Sequence, residues 1–193
     1  EIIWRYGAAG FHDFSETGLA YPNEVSVGPD DTLWVADRGM IRKLQASTGK
    51  FIASYQDEIA AFSQLRGIAF DSTGRLFVAD YDTHVVHIFT LDVDGNPEYS
   101  ATIGVQDSPG SDDLHFNNPT QIVIDSADKL YVADSGNNRV QVCTESGEQW
   151  SCELYTDSNT DPEHLENEIA LDDPYGLGID SLNQIYIADT KNS

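Results

Sequence analysis

Positive charge is what this chain lacks most. Its 193 residues include 10 Lys and Arg against 33 Asp and Glu, a formal net charge of −23. Proteins that grip nucleic acid do so by placing Lys and Arg on phosphates and releasing counterions. The few bases here are scattered from Arg5 to Lys191 and form no basic run, which excludes nucleic acid as a partner and disfavours anionic membrane surfaces. Long apolar runs are also missing. No stretch approaches the roughly 20 residues of a membrane helix, so direct membrane insertion is excluded. There are only two cysteines and one methionine. The first residue is Glu1, which implies a removed leader or a longer polypeptide. Aromatics are not scarce: 8 Phe, 9 Tyr and 3 Trp place the chain among folded proteins, not acidic disordered ones. Acidity of this degree suits solubility, a calcium-rich medium or a cationic partner.

Internal repeats carry the fold. Residues 22–37, 65–80, 119–134 and 174–189 align without a gap, closing on Leu-Trp-Val-Ala-Asp37, Leu-Phe-Val-Ala-Asp80, Leu-Tyr-Val-Ala-Asp134 and Ile-Tyr-Ile-Ala-Asp189. Each reads as a hairpin: a short apolar run, a polar turn such as Asp71-Ser-Thr-Gly74, then an aromatic and β-branched run. Third strands are expected over residues 41–44, 85–89 and 140–143, and fourth strands over 51–55, 99–103 and 150–155. Four antiparallel strands in a repeat of roughly 40–55 residues make one blade of a β-propeller. The chain is therefore expected to be all-β, one propeller region over 1–193. Its blades are expected at 22–64, 65–118, 119–173 and, in part, 174–193, with residues 1–6 as the outer strand of a preceding blade.

The pattern resembles the NHL repeat. That family runs from Phe-x-x-Pro through Ile-x-Val-Asp and Leu-Tyr-Val-Ala-Asp to Asn-Arg-Val-Gln-Val. Here Phe116-Asn-Asn-Pro119, Ile122-Val-Ile-Asp125, Leu130-Tyr-Val-Ala-Asp134 and Asn138-Arg-Val-Gln-Val142 stand in those places. The resemblance covers essentially the whole chain. It implies a ring of about six blades, on the order of three hundred residues at roughly fifty per blade. The chain would then be an incomplete propeller of about 3.75 blades; a four-bladed ring completed by residues 2–6 is the alternative. Similar propellers include protein-binding and RNA-binding modules, metal-associated peptide-amidating lyases and parts of extracellular proteins, so the fold leaves the function open.

Functional groups of a propeller sit on loops at the channel mouth. The residues just after Pro22, Leu65, Pro119 and Pro174 should lie there: Asn23, Glu24, Arg66, Thr120, Gln121 and Tyr175. They differ from blade to blade within a constant frame, which suits a ligand or partner site; a solvated rim is the plainer reading. The repeated Asp37, Asp80, Asp134 and Asp189 read as structural, accepting backbone N–H bonds in the turn that follows each. Histidines do not suit catalytic zinc, which usually takes three protein ligands: His84 and His87 fall on a third strand, and His12, His115 and His164 in connecting loops. Calcium is the open cofactor. The weak candidates are Glu24 in the channel, as in the similar gluconolactonase-like propellers, and Asp92 with Asp94 in a loop whose Gly95 falls at the fourth position where an EF-hand needs the sixth, so that Asp94-Gly95 more simply turns a hairpin. No other cofactor is indicated and no catalytic nucleophile stands out.

Cys143 and Cys152 fall on two strands of one hairpin. A turn over residues 146–149 would set them opposite each other, at a spacing that a disulfide can bridge. Separate thiols or a metal site are the other readings. A disulfide implies an oxidising compartment: extracellular, cell-surface or periplasmic. Residues 153–173 hold eight carboxylates and no Lys or Arg, and read as a solvated loop, a dock for a basic partner or a stretch of diffuse calcium binding. The expected function is a non-enzymatic protein-interaction or structural module that binds a protein partner, or further copies of itself through open blade edges. The alternative is a metal-dependent propeller enzyme, lyase- or lactonase-like, with a divalent cation in the channel.

Overall fold

The computed structural model describes residues 18–57, 59–155 and 170–191. The expected outer strand at residues 1–6, His12, His164 and most of the acidic loop, residues 156–168, lie outside these. Fourteen strands run in chain order among the described residues. They are β1 Pro22–Val27, β2 Thr32–Asp37, β3 Met40–Gln45, β4 Phe51–Tyr55, β5 Leu65–Phe70, β6 Leu76–Asp80, β7 Val85–Leu91, β8 Pro97–Ile103, β9 Pro119–Ile124, β10 Leu130–Asp134, β11 Arg139–Ser146, β12 Gln149–Leu154, β13 Pro174–Ile179 and β14 Ile185–Asp189. A short 3-10 turn, Ser135–Asn137, joins β10 to β11. The strands form three four-stranded meanders and one two-stranded hairpin, β13–β14, every neighbouring pair antiparallel. The innermost strands β1, β5, β9 and β13 are neighbours in turn, and the sheets do not close into a ring.

Two-residue periodicity explains the core. In β6 every residue is buried. Leu76 and Val78 face one way, into a cluster with Trp34, Ala36, Ile41, Leu65 and Phe89. Phe77 and Ala79 face the other way, into a cluster with Phe116, Ile122, Leu130 and Val132. In β10, Tyr131 and Ala133 likewise turn toward the last hairpin and meet Leu177. A strand sandwiched between two blades must be apolar on both faces, hence the unbroken Leu-Phe-Val-Ala run. Each large side chain so buried contributes roughly 1.5–3 kcal/mol.

The turn between the first two strands of a blade is built the same way several times. Asp71 Oδ1 accepts N–H bonds from Thr73 and Arg75, Asp125 from Ala127 and Lys129, and Asp180 from Leu182 and Gln184. The left-handed position falls to Gly74, Asp128 and Asn183, at φ +84°, +59° and +61°. Asp92 makes this turn again between β7 and β8, accepting from Asp94 and Asn96 with Gly95 at φ +75°. The loop that looked like a cation loop is thus a hairpin turn repeated from elsewhere in the chain.

The closing aspartates act in a direction the sequence did not suggest. Asp37 accepts from the N–H groups of Ala20 and Tyr21, Asp80 from Ser63 and Gln64, Asp134 from Asn117, and Asp189 from Asp172. These donors lie 16 or 17 residues upstream, in the segment leading into the blade's first strand. Each aspartate therefore clamps the start of its blade to the end of the second strand, and Asp134 also bonds to the turn after it, accepting from Asn137 Nδ2 at 2.8 Å. Three of the four are fully buried, beside Arg42, His87 and Gln141 at equivalent places on the third strands. His84 lies in the turn before β7, at φ +62°, not on the strand.

Cys143 and Cys152 are directly opposed in the β11–β12 register and joined by a disulfide, with Cα atoms 4.0 Å apart. Cys143 is buried, in the cluster that Trp150 packs against.

Candidate functional site at the channel mouth

Each innermost strand begins with a bulge or register shift next to its first residue. A bulge turns side chains out of the regular pleat, and here it frees those of the second and third residues of the strand to cross to neighbouring blades. Asn23, Glu24, Arg66, Thr120, Gln121 and Tyr175, drawn from four blades, converge on one cavity of about 90 Å³.

A chain of hydrogen bonds fixes its walls. Asn23 Nδ2 donates to Leu65 O at 2.7 Å. Glu24 Oε2 accepts from Ile68 N at 2.9 Å, and its Oε1 from Gln121 Nε2 at 2.5 Å. Gln121 Oε1 in turn accepts from Leu177 N at 2.9 Å. Glu24 and Gln121 thus hold equivalent places, each capping a backbone N–H of the next blade. The blade between them has Gly67 there, and a Cβ on it would stand 2.8 Å from Ile122 N and Thr120 O. Thr120 is 1% exposed and donates to Tyr175 O at 2.9 Å, so it is wall, not contact surface. Tyr175, 40% exposed, is contact surface.

Arg66 is the cation of the set. Its guanidinium stands 5.0 Å from the Tyr81 ring centre and 5.6 Å from that of Tyr175, and it donates to the Tyr175 hydroxyl and Gln64 Oε1. Tyr81 was missed from the sequence, along with the rest of its set. The residues just after the closing aspartates (Arg38, Tyr81, Ser135, Thr190) vary as freely as the six. Two of them touch the mouth: Tyr81 stacks on Arg66, and Ser135 Oγ lies 2.7 Å from Thr120 Oγ1. Variation beside an invariant residue was the available signal.

Burial pushes the Glu24 carboxyl above its ordinary pKa, and the bonds from Gln121 and Ile68 only partly offset it. The donors facing both Glu24 oxygens are N–H groups, which cannot ligate a metal. The Asp92 oxygens are likewise occupied by N–H donors from Asp94 and Asn96, and Asp94 is exposed in that outer turn, away from Glu24. The three calcium candidates are not brought together. Among the described residues no three His, Cys, Asp or Glu side chains converge. As arranged, this donor set does not fit a divalent cation.

Comparison with known proteins accords with this architecture. The sequence model of the NHL repeat matches residues 62–89 and 116–143. Peptidyl-glycine alpha-amidating monooxygenase of Mus musculus is 28% identical over 174 residues, covering 86% of this chain and 16% of the relative. The Rattus norvegicus enzyme matches to the same extent. Among solved structures, an auxiliary nutrient binding protein from Bacteroides ovatus superposes with TM-score 0.68 at 17% identity, over 91% of this chain and 47% of that one. A catalytically inactive virginiamycin B lyase from Staphylococcus aureus with quinupristin gives 0.60 at 14%, over 94% and 53%. A putative 6-phosphogluconolactonase from Bacteroides uniformis gives 0.62 at 14%, over 89% and 50%. The chain spans about half the length of these solved propellers and a much smaller share of the curated relatives. Similarity at these identities bears on fold alone. Matched NHL repeats, four-stranded antiparallel blades and propeller neighbours together give the chain an NHL-type β-propeller fold.

Proposed function

We propose that this chain is a non-enzymatic interaction module of an extracellular or cell-surface protein, and that it binds a protein partner through the loops at its channel mouth. The observation that carries this reading is the convergence of six blade-variable residues on a rigid, cross-braced rim around a cavity of about 90 Å³. That volume holds a few waters or one protruding side chain; small-molecule sites usually measure roughly 300–1,000 Å³. A partner surface that inserts a side chain fits it better than an enclosed substrate does. The disulfide supports an oxidising compartment. No helix among the described residues is long and apolar enough to cross a membrane.

Selection from a displayed peptide library tests the proposal. Peptides enriched on the wild-type chain should be lost on a Tyr175→Ala variant and retained on Asp94→Asn, which alters only an outer turn. Enrichment that ignores Tyr175 would contradict it. The metal-dependent enzyme reading draws on the names of lyase and lactonase neighbours, and it would require Glu24 and Gln121 to release their present partners.

A further inference from the structure

A second cavity adjoins the mouth between the first two blades. It measures about 340 Å³ and is lined by Tyr21, Asn23, Arg38, Gln64 and Arg66. Two of the chain's ten Lys and Arg residues face it, and among the described residues no carboxylate lines it. In a protein of net charge −23 that is an unusual local balance.

The nearby acids are already engaged. Asp37 is taken up by the Ala20 and Tyr21 N–H groups and by Arg42, which lies 3.4 Å away. Asp80 holds the Ser63 and Gln64 N–H groups, and Asp82 sits behind Gln64, accepting from its Nε2 at 3.3 Å. The aspartate clamps thus build the cavity walls while keeping their charge out of it. Arg42, Lys43, Arg75 and Arg139 each have a carboxylate within 3.4 Å. Arg66 meets only neutral oxygens, those of Gln64, Tyr175 and, at 3.4 Å, Asn23; its Nε is buried without a hydrogen-bond partner. Tyr81 and Tyr175 stack against its plane, and Arg38 lies 5.0 Å over the Tyr21 ring. Stacking of this kind orients a guanidinium, so a carboxylate entering the cavity would replace the neutral Gln64, Tyr175 and Asn23 oxygens on its Nη1 and Nη2 atoms.

From this geometry we infer that the second cavity binds a carboxylate group, with Arg66 as the oriented fork and Arg38 as the outer cation. The planar fork matches a carboxylate. The chain's overall negative field disfavours more highly charged anions such as phosphate. The inference deepens the binding-module reading by naming the group a partner would insert, and it shares Asn23 and Arg66 with the mouth.

Calorimetric titration of the whole chain tests it with benzoate, with benzamide (the same shape without the charge) and with inorganic phosphate. Benzoate should bind about tenfold or more tighter than benzamide, and tighter than phosphate. Arg66→Gln should weaken benzoate about tenfold. Arg66→Lys should lose most of that too, because charge without the fork does not suffice, and Arg38→Gln should cost a smaller factor. Equal binding of benzamide, tighter binding of phosphate, or indifference to Arg66 and Arg38 would overturn the inference. Arg38 is exposed, so its variant keeps the test open if Arg66→Gln fails to fold. Should benzoate not bind while mouth-dependent peptides are still selected, the carboxylate inference fails alone. Should benzoate bind while no such peptide is found, the protein-partner reading fails alone.

Discussion

Gln121 Nε2 reaches Glu24 Oε1 at 2.5 Å, joining the third blade to the first across the second. The reach passes the blade whose equivalent residue is Gly67, which offers no side chain to cap its neighbour. One glycine and two cross-blade caps therefore set the shape of the mouth. Glu24→Ala should cost about 1–3 kcal/mol in urea unfolding, because the Ile68 N–H loses its acceptor. Glu24→Gln should cost less. Gly67→Ala should cost a similar 1–3 kcal/mol, since its Cβ would press on the backbone of β9.

The clamps should matter more than the caps. Asp134 is fully buried and accepts from Asn117 N, Arg139 Nε and Gln141 Nε2. Asp134→Ala leaves those donors without their acceptor and should cost about 3–5 kcal/mol. Asp189 is only partly buried, so Asp189→Ala should cost distinctly less. Thermal melting of the two variants side by side would check the order.

Two carboxyls should respond to pH with opposite signs. Burial tends to raise the Asp80 pKa, but the attraction of His87, with Nε2 at 3.9 Å, and the Ser63 and Gln64 N–H bonds outweigh it and hold it below the ordinary 3.8. Its ionised form is favoured on folding. The advantage of wild type over Asp80→Asn should thus be full above pH 3.8 and shrink as pH falls through the lower folded value. Glu24 is raised above its ordinary 4.5 by burial, against the Gln121 and Ile68 bonds. Stability of wild type relative to Glu24→Gln should be greatest below pH 4.5 and decline as pH rises through the folded value. Denaturant midpoints from pH 3 to pH 7 would show both slopes.

The disulfide closes a short loop, with a sequence separation of 9. Reduction should lower stability by about 2–3 kcal/mol at most. Thiol titration of unreduced protein should find no reactive cysteine; two would contradict the bridge.

Much of this was legible beforehand, for identifiable reasons. Leu76-Phe-Val-Ala-Asp80 announces a strand, and strands entered through Pro22, Leu65 and Pro174 in a fixed frame mark where Asn23, Arg66 and Tyr175 meet. The Cys143–Cys152 pairing followed from hairpin register. What stayed hidden needed the third dimension. Asp80 bonds backward to Ser63 and Gln64 because the segment leading into a blade runs past the end of its second strand, which no local pattern reveals. Gly67 carries no mark in the sequence that it provides clearance for the backbone of β9. Tyr81 gave no sign by itself that it would stack on Arg66.

Hydrogen exchange of the chain with and without a selected peptide tests the central claim most directly. Protection should appear at residues 23–24, 66, 120–121 and 175, on four blades at once, and should vanish with Tyr175→Ala. Protection confined to the outer strands β4, β8 and β12 would contradict a binding site at the channel mouth.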